Sequence, residues 1–515
     1  MNQTIPAKPD IEYVVDLSDY RNQQVDLEIG GNRIIGWIPE GEDEPEPIRV
    51  TFRGTDNILF LEKRDNSRIG ETDIRFEGSR GLVYLSQNVH KYLFSAVIEE
   101  DGICWFGRDV YMHQSESGRL HIRVCRGHAV ALGYDCLLST MINIDTAGED
   151  TGGDVRIGNH VWIGQDVTIE GPSEVEANAV LGAGLKIHGQ HLSANAIWIM
   201  EDGIPKNARG NIVFGKNSLR NRVKEEQKLY REIHKLYLGE MLKLGTWDSA
   251  ELIADAKRAS GMEERLAVFI KEADTREYVK PKFRRTYIEP LKIPVYGNNI
   301  IYGKYTNTEG DVNITFEGKG NVLIFEKGVK LGNCLIEFSG NGSLIFLSKS
   351  RTPISATISV GSEANLYLGK NCTVEGNPVP VLQTTESQTL FIGNNCKIPS
   401  GVWFRTSDQH PIFDVKSRKR INKAKSIFIG DGEEIPPGKL VRKGQKAGKM
   451  RGVFRRPYLY EKCFEALRNA SDMDERIQWM LTLNNSDGLS RVLHRFHLKR
   501  NELGTRTVIA EDEEQ

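Results

Sequence analysis

From Ile157 the chain repeats with a period of six: IGNHVW, IGQDVT, IEGPSE, VEANAV, LGAGLK and IHGQHL follow one another without a break. An aliphatic residue recurs at Ile157, Ile163, Ile169, Val175, Leu181 and Ile187, and a small residue stands four places after most of them. An amphipathic helix requires a period of 3.6 and an ordinary half-buried strand a period of two, so neither accommodates this pattern. A coil of very short strands does. Each hexapeptide forms one face of a triangular coil, and three hexapeptides complete a turn. The aliphatic side chain then points into the prism and stacks on its counterpart one coil away. Glycine or a small polar residue takes the corner, where backbones approach closely or φ turns positive.

The chain also resembles itself. GTDNILFLEK, from residue 54, matches GKGNVLIFEK, from residue 318; WFGRDVYM at 105–112 matches YLGKNCTV at 367–374; LGYDCLLST at 132–140 matches IGNNCKIPSG at 392–401. The matches keep a near-constant offset of about 260 residues, which is the mark of a duplicated repeat architecture. The copies diverge in opposite ways. The second carries a long loop, FRTSDQHPIFDVKSRKRINKAKS at 404–426, where the first has only NIDTAGEDTGGDV. The first continues through its six hexads, whereas the second breaks off after IFIGD, and Glu434 stands where the first copy has Trp162.

At 515 residues the chain is too long for one compact domain. A net charge of −2 gives no bias toward nucleic acid or membrane. No apolar run is long enough to span a bilayer, and the start, MNQTIPAKPDIEYVVD, lacks the basic end and apolar core of a signal peptide. Seven scattered cysteines without ligand spacing read as buried free thiols in a reducing compartment, so a cytoplasmic location and no metal are expected. Between the copies, Leu229, Tyr230, Ile233, Leu236, Tyr237, Met241 and Leu244 recur at helical spacing after a candidate N-cap at Ser218. A second helix is expected from Asp248 to about Asp274, and short helices around 458–469, 473–483 and 488–499.

The segments IGNHVWIGQDVTI, LGAG and DGIPKNARGNIVFGK in the first copy, and CKIPSGVWFRTSDQHPIFD and RINKAKSIFIGD in the second, resemble the hexapeptide-repeat O-acetyltransferases, notably those that modify capsular and other surface polysaccharides. The resemblance covers roughly residues 50–216 and 298–432. It implies a mainly β chain of two tandem left-handed parallel β-helix domains, at 1–216 and 291–450. A helical linker at 217–290 joins them, and a helical C-terminal region follows at 451–515. It further implies acetyl-CoA as co-substrate, a polysaccharide or sugar acceptor and a homo-oligomer, in that family a trimer. The family's catalytic histidine matches His410 and its site tryptophan matches Trp162. In the family both stand on one prism; this chain divides them between two, which implies either a composite site or a site that has been lost.

Acyl transfer to a hydroxyl needs a base, because the neutral alcohol is a poor nucleophile. An imidazole suits that task, worth about 10²–10⁴-fold. Asp408, two residues before His410, is the candidate to orient the ring. Arg405 and Ser407 are candidates for the acceptor, Arg405 for an anionic sugar. Trp162, one position before the inward Ile163, is expected on the outer surface of a prism. With Gly164, Ala183, Gly184 and Lys206 it would line a groove for the co-substrate, although corner geometry alone accounts for the glycines. Lys439, Arg442, Lys443, Lys446, Lys449, Arg451, Arg455 and Arg456 form a basic run, read as a solvated face or as a contact for an anionic glycan or CoA phosphates. His160, His188 and His191 read as structural. Two rival functions are a non-catalytic scaffold or glycan-binding prism and an acetyltransferase for a small molecule or sugar nucleotide.

Overall fold

The computed structural model describes residues 2–5, 12–38, 47–62, 71–87, 89, 94–112, 118–148, 152–243, 249–275, 298–308, 310–447, 466, 467, 469, 470 and 472–484. The chain divides into two compact units. The first comprises Met1–Phe214, Lys235–Thr286 and Phe413–Lys419; the second comprises Gly215–His234, Tyr287–Ile412 and Arg420–Gln515. Each is built around a parallel β coil, called here the first and the second prism.

The first prism has sheets of ten, eight and six strands. Through the coils from Ile48 to His188, successive strands go to different sheets, so each sheet collects one strand per coil and neighbours there are parallel. The pairs Gln23–Ile29 with Asn32–Ile38, Tyr13–Asp16 with Ile48–Phe52, and Ile197–Glu201 with Ile204–Arg209 are antiparallel. The hexad region stacks in the register the period demands. Arg156 pairs with Glu174, Trp162 with Val180 and Ile169 with Ile187, each one eighteen-residue coil apart. Coils nearer the N-terminus are longer; Tyr134 and Asn159 on neighbouring coils are separated by 25 residues. Inward aliphatics such as Ile157, Ile163, Ile169, Val175, Leu181 and Ile187 are sealed in one continuous core. This is the packing expected of a coil in which every inward position meets its counterpart above and below.

Helices α1 (Lys224–Lys243), α2 (Ala250–Arg258) and α3 (Met262–Thr275) follow the first coil stack. Helix α1 starts at Lys224, not at Ser218. The Ser218 hydroxyl instead accepts from the Arg220 N–H at 3.1 Å, a local turn that competes with helix formation. Asp248 and Leu244 lie outside the described residues. The single helix expected up to Asp274 is two, broken at Ser260-Gly261, where the Ser260 N–H and hydroxyl both bond Glu264. Leu252, Ile253 and Phe269 of α2 and α3 cover Tyr84 and Trp105 on the outside of the ten-stranded sheet.

In the second prism two seven-stranded sheets form two of the faces. Among the described residues the third face has only Thr373–Val374 and Lys397–Ile398, with an isolated bridge from Lys397 to Glu434. Helix α4 (Met473–Asn484) covers the outer aromatic ladder Phe346, Tyr367 and Phe391 with Ile477, Met480 and Leu481. Arg476 of α4 anchors it by donating to Asn365 Oδ1 and the Ala364 carbonyl at 2.6 and 3.0 Å. The segment expected helical at 488–499 and Cys463 lie outside the described residues, as does most of 458–469. Of the other six cysteines, five are buried and Cys125 is partly exposed, all as free thiols. No helix among the described residues is long and apolar enough to cross a membrane.

Candidate active site

The loop that carries His410 leaves the second prism after the strand Trp403–Arg405. Phe404 points inward and is sealed in the core, so Trp403 and Arg405 point outward. The chain then turns through residues whose polar groups are held at close range. Thr406 and Ser407 are buried, the Thr385 and Ser407 hydroxyls are 2.6 Å apart, and the Thr385 N–H donates to Thr406 Oγ1 at 2.9 Å. Ser407 Oγ also accepts from the Gln409 N–H at 3.0 Å, and Gln409 takes φ +66 to close the turn. The His410 N–H donates to the Asp408 carbonyl at 2.7 Å, and only 4% of the histidine is exposed.

Asn422 fastens the two limbs of the loop. Its Nδ2 donates to the His410 carbonyl at 2.7 Å and to Asp408 Oδ2 at 3.1 Å, while its Oδ1 accepts from the Ile412 N–H at 2.7 Å. Lys443 makes an ion pair with the same Asp408 carboxylate. Under the loop Arg420 forms a two-pronged pair with Glu386, at 2.7 and 3.0 Å, with both side chains almost sealed from water. The Leu219 N–H donates to the Gln409 carbonyl at 2.9 Å and the Gly215 N–H to the Pro411 carbonyl at 2.7 Å. The backbone that carries the buried His410 is thus fastened at several points. Of these residues, Asn422, Glu386 and Arg420 had no role in the sequence reading. Asn422 lay inside the quoted RINKAKS motif, but no spacing rule pairs it with Asp408.

Of the residues expected to form a groove on the first prism, Trp162 and Lys206 stand on strands of the six-stranded sheet, and Gly164 packs against Ala183. Trp162 pairs in register with Val180, and the Gly164 N–H donates to the Leu181 carbonyl at 2.8 Å. A Cβ on Gly164 would lie 2.6 Å from that carbonyl oxygen and 2.8 Å from the Ala183 nitrogen, so coil stacking demands glycine there. Gly184 differs: its φ is +74, and an added Cβ would meet nothing within 4 Å, so this corner is open. Lys206 stands in the outermost strand, Ile204–Arg209, opposite Ile199, and its Nζ is 2.5 Å from a Glu201 carboxylate oxygen.

Trp162 itself corrects the expectation of an exposed indole. It faces outward but is only 8% exposed, because Phe214 covers it with ring centres 5.7 Å apart. Phe214 stacks also on His160 at 4.1 Å. His160 is sealed, with Nδ1 2.8 Å from Asp135 Oδ2 and Nε2 2.8 Å from the Phe214 carbonyl, a position that ties two neighbouring coils to the strand Ile212–Phe214. His188 and His191 are exposed and pair with Glu170 and Glu176 at 2.7 and 2.9 Å. In the basic run Lys443 is committed to Asp408, while Lys449, Arg451, Arg455 and Arg456 lie outside the described residues. No cluster of metal-binding side chains occurs among the described residues.

Fold and loop together define a class: a parallel β coil bearing a buried histidine in an RTSDQHP turn. No family model matches the chain. It is similar to a polysialic acid O-acetyltransferase of Neisseria meningitidis, 24% identical over 134 residues that make up 26% of this chain and 61% of that protein. It is also similar to a polysialic acid O-acetyltransferase of Escherichia coli O1:K1 / APEC, 51% identical over 45 residues, 9% of this chain and 15% of that one. Among solved structures, the polysialic acid-specific acetyltransferase NeuO matches with a TM-score of 0.30 and 17% identity, over 40% of this chain and 94% of its own. The polysialic acid O-acetyltransferase OatWY matches with a TM-score of 0.30 and 20% identity, over 35% and 85%. The chain thus spans about three fifths of the first curated relative and 15% of the second. Over the matched part, the resemblance to hexapeptide-repeat O-acetyltransferases read from the motifs is borne out.

Proposed function

We propose that the chain is an acetyl-CoA-dependent O-acetyltransferase acting on a sugar hydroxyl of a capsular or other surface polysaccharide, with His410 as general base. The observation that carries this reading is the loop itself: a buried imidazole whose backbone is pinned by Asn422 and whose neighbour Asp408 is held by Lys443. In this reading a ring nitrogen of His410 takes the proton of the acceptor hydroxyl as the new oxygen–carbon bond forms at the thioester carbonyl. The carbon–sulfur bond then breaks, and the same proton passes to the departing thiolate. Asp408 and Ser407 keep the histidine in place, and Arg405 serves the acceptor.

Acetyl-CoA is a substrate here rather than a resident group. The open corner at Gly184, beside Gly164, Ala183 and Trp162, with the exposed Lys206 as a cation, suits the long arm and phosphates of such a molecule. We further propose that the two prisms are tandem copies of one left-handed coil. They share a corner device at matching positions. In the first, Asn57 and Gly81 N–H groups donate to the side-chain oxygens of Asn32 and Asn57; in the second, Asn321 and Ser343 do the same to Asn299 and Asn321.

The test is transfer of labelled acetyl from acetyl-CoA to polysialic acid by the full chain and by His410→Ala, with circular dichroism as the folding control. Unchanged transfer in a folded variant would overturn the assignment. The division of Trp162 and His410 between two copies favours, as a second reading, a prism that binds glycan without catalysis. Calorimetry with acetyl-CoA separates the two, since such a scaffold should show no binding. Sedimentation tests the family's trimer.

A further inference from the structure

On the second prism, strand register lines up outward residues of one sheet in two columns. One runs Thr357, Val381, Trp403, Leu440; the other runs Glu337, Ser359, Gln383, Arg405, Arg442. Adjacent strands lie about 4.8 Å apart, so Arg405 and Arg442 occupy neighbouring rungs. At one end of the second column charge is answered: Arg220 is 3.1 Å from a Glu337 carboxylate oxygen and also bonds Ser359.

At the other end it is not. Among the described residues the Arg405 guanidinium makes no ion pair and no hydrogen bond, and its Nε is shielded from water with no acceptor. Its Cζ lies 5.7 Å from the centre of the Trp403 ring, whose own Nε1 is likewise shielded and without an acceptor. Asp408, the carboxylate whose field reaches Arg405, is already held by Lys443 and Asn422. Burial, and then the like charges of Arg220 and Arg442, push the Arg405 guanidinium below its ordinary value against the opposing pull of Asp408. A guanidinium partly withdrawn from water beside a second one is unfavourable unless an oxyanion joins them.

We propose that Trp403, Arg405 and Arg442 form an acceptor subsite that selects carboxylate-bearing sugars, the carboxylate bridging the two guanidiniums and the sugar ring lying against the indole. This rests on the reading of His410 as the base of acetyl transfer. Paired guanidiniums recognise any planar or tetrahedral oxyanion, including a phosphate of the donor. The indole beside Arg405, and the place of Arg405 in the strand that leads directly into the His410 turn, favour the acceptor.

The experiment compares a polysialic acid oligomer with the same oligomer after its carboxylates are reduced to alcohols. Binding is measured by calorimetry without acetyl-CoA, and steady-state transfer is measured separately. The wild-type chain should prefer the carboxylate form by about tenfold or more, and Arg442→Gln and Arg405→Gln should each erase most of that preference. The acetyl-CoA KM should stay within about twofold, as expected for an acceptor contact. Arg442 is exposed, so its variant keeps the test intact even where Arg405→Gln fails to fold. A preference that survives Arg442→Gln overturns the subsite. So does a rise confined to the acetyl-CoA KM, which would assign the pair to the donor's phosphates. Loss of the preference in a chain that transfers no acetyl at all would sink the catalytic reading and leave the subsite standing. Intact transfer with the preference unchanged would do the reverse.

Discussion

The two prisms differ most on their third face. In the first it is a sheet of six strands, closed by an antiparallel hairpin and covered at Trp162 by Phe214. In the second it shrinks to two strands and a bridge, and Glu434 stands where Trp162 would be. The interiors differ less than the corners. Aliphatics fill both, but around the second prism's loop Thr385, Glu386, Thr406, Ser407, His410 and Arg420 are all buried. Burying polar and charged groups is unfavourable unless each finds a partner. The first prism buries polar groups too, His160 with Asp135 and the corner residues Asn32 and Asn57, but there they tie one coil to the next, whereas in the second prism they gather around a single loop.

Substitutions can break that contrast. The largest effect is expected at His410: replacement by glutamine should lower acetyl transfer by about 10²–10⁴-fold while the unfolding midpoint moves little. A loss of stability equal to the loss of rate would place His410 in the same structural role as His160. Next is the pair beneath the loop. Glu386→Ala strands Arg420 in a dry site and should cost about 3–5 kcal/mol by denaturant titration, with unfolding of the second prism first. A cost near zero would mean that water reaches Arg420 freely.

His160→Gln is the counterpart in the first prism. It disturbs the bonds to Asp135 and the Phe214 carbonyl and should cost about 1–3 kcal/mol of stability. The carboxylate preference of the second prism should remain as in the wild type; a change there would contradict the division of roles.

The smallest effect concerns one matched corner. The Tyr134 N–H donates to Asn159 Oδ1 at 2.7 Å in the first prism, and the Asn394 N–H to Asp431 Oδ1 at 2.6 Å in the second. Burial raises the Asp431 carboxyl above its ordinary value, with the Asn394 N–H opposing. A raised acid binds its proton more tightly when folded. Its stabilising contribution is therefore present below the ordinary value of 3.8 and lost as pH rises through the folded one. Asp431→Asn should accordingly be more stable than wild type at neutral pH, by no more than about 1 kcal/mol, and the gain should vanish in acid. A variant less stable at neutral pH would show that the charge is favourable where it sits.

How much of this was legible beforehand follows from what each feature depends on. The eighteen-residue coil was readable because each inward aliphatic of the hexads meets a residue at a fixed chain distance, as Ile163 meets Leu181. The start of α1 was misread because Ser218 satisfies the capping pattern yet spends its hydroxyl on a local turn. The indole of Trp162 was expected in the open because its strand position faces outward, and nothing in the hexad reveals that Phe214 returns to cover it. The importance of His410 was visible in its motif, whereas its fastening by Asn422 was not.

The sequence by itself determined that the chain coils, where the regular hexads lie and which loop interrupts the second prism, because stacking forces act between residues one period apart. The tertiary structure alone decided which polar groups converge on that loop. Lys443 is 35 positions from the Asp408 it holds, and Glu386 is 34 from the Arg420 it neutralises. No local period relates such pairs. They meet only because parallel coils bring distant strands onto adjacent rungs, and there Arg405 comes to stand beside Arg442.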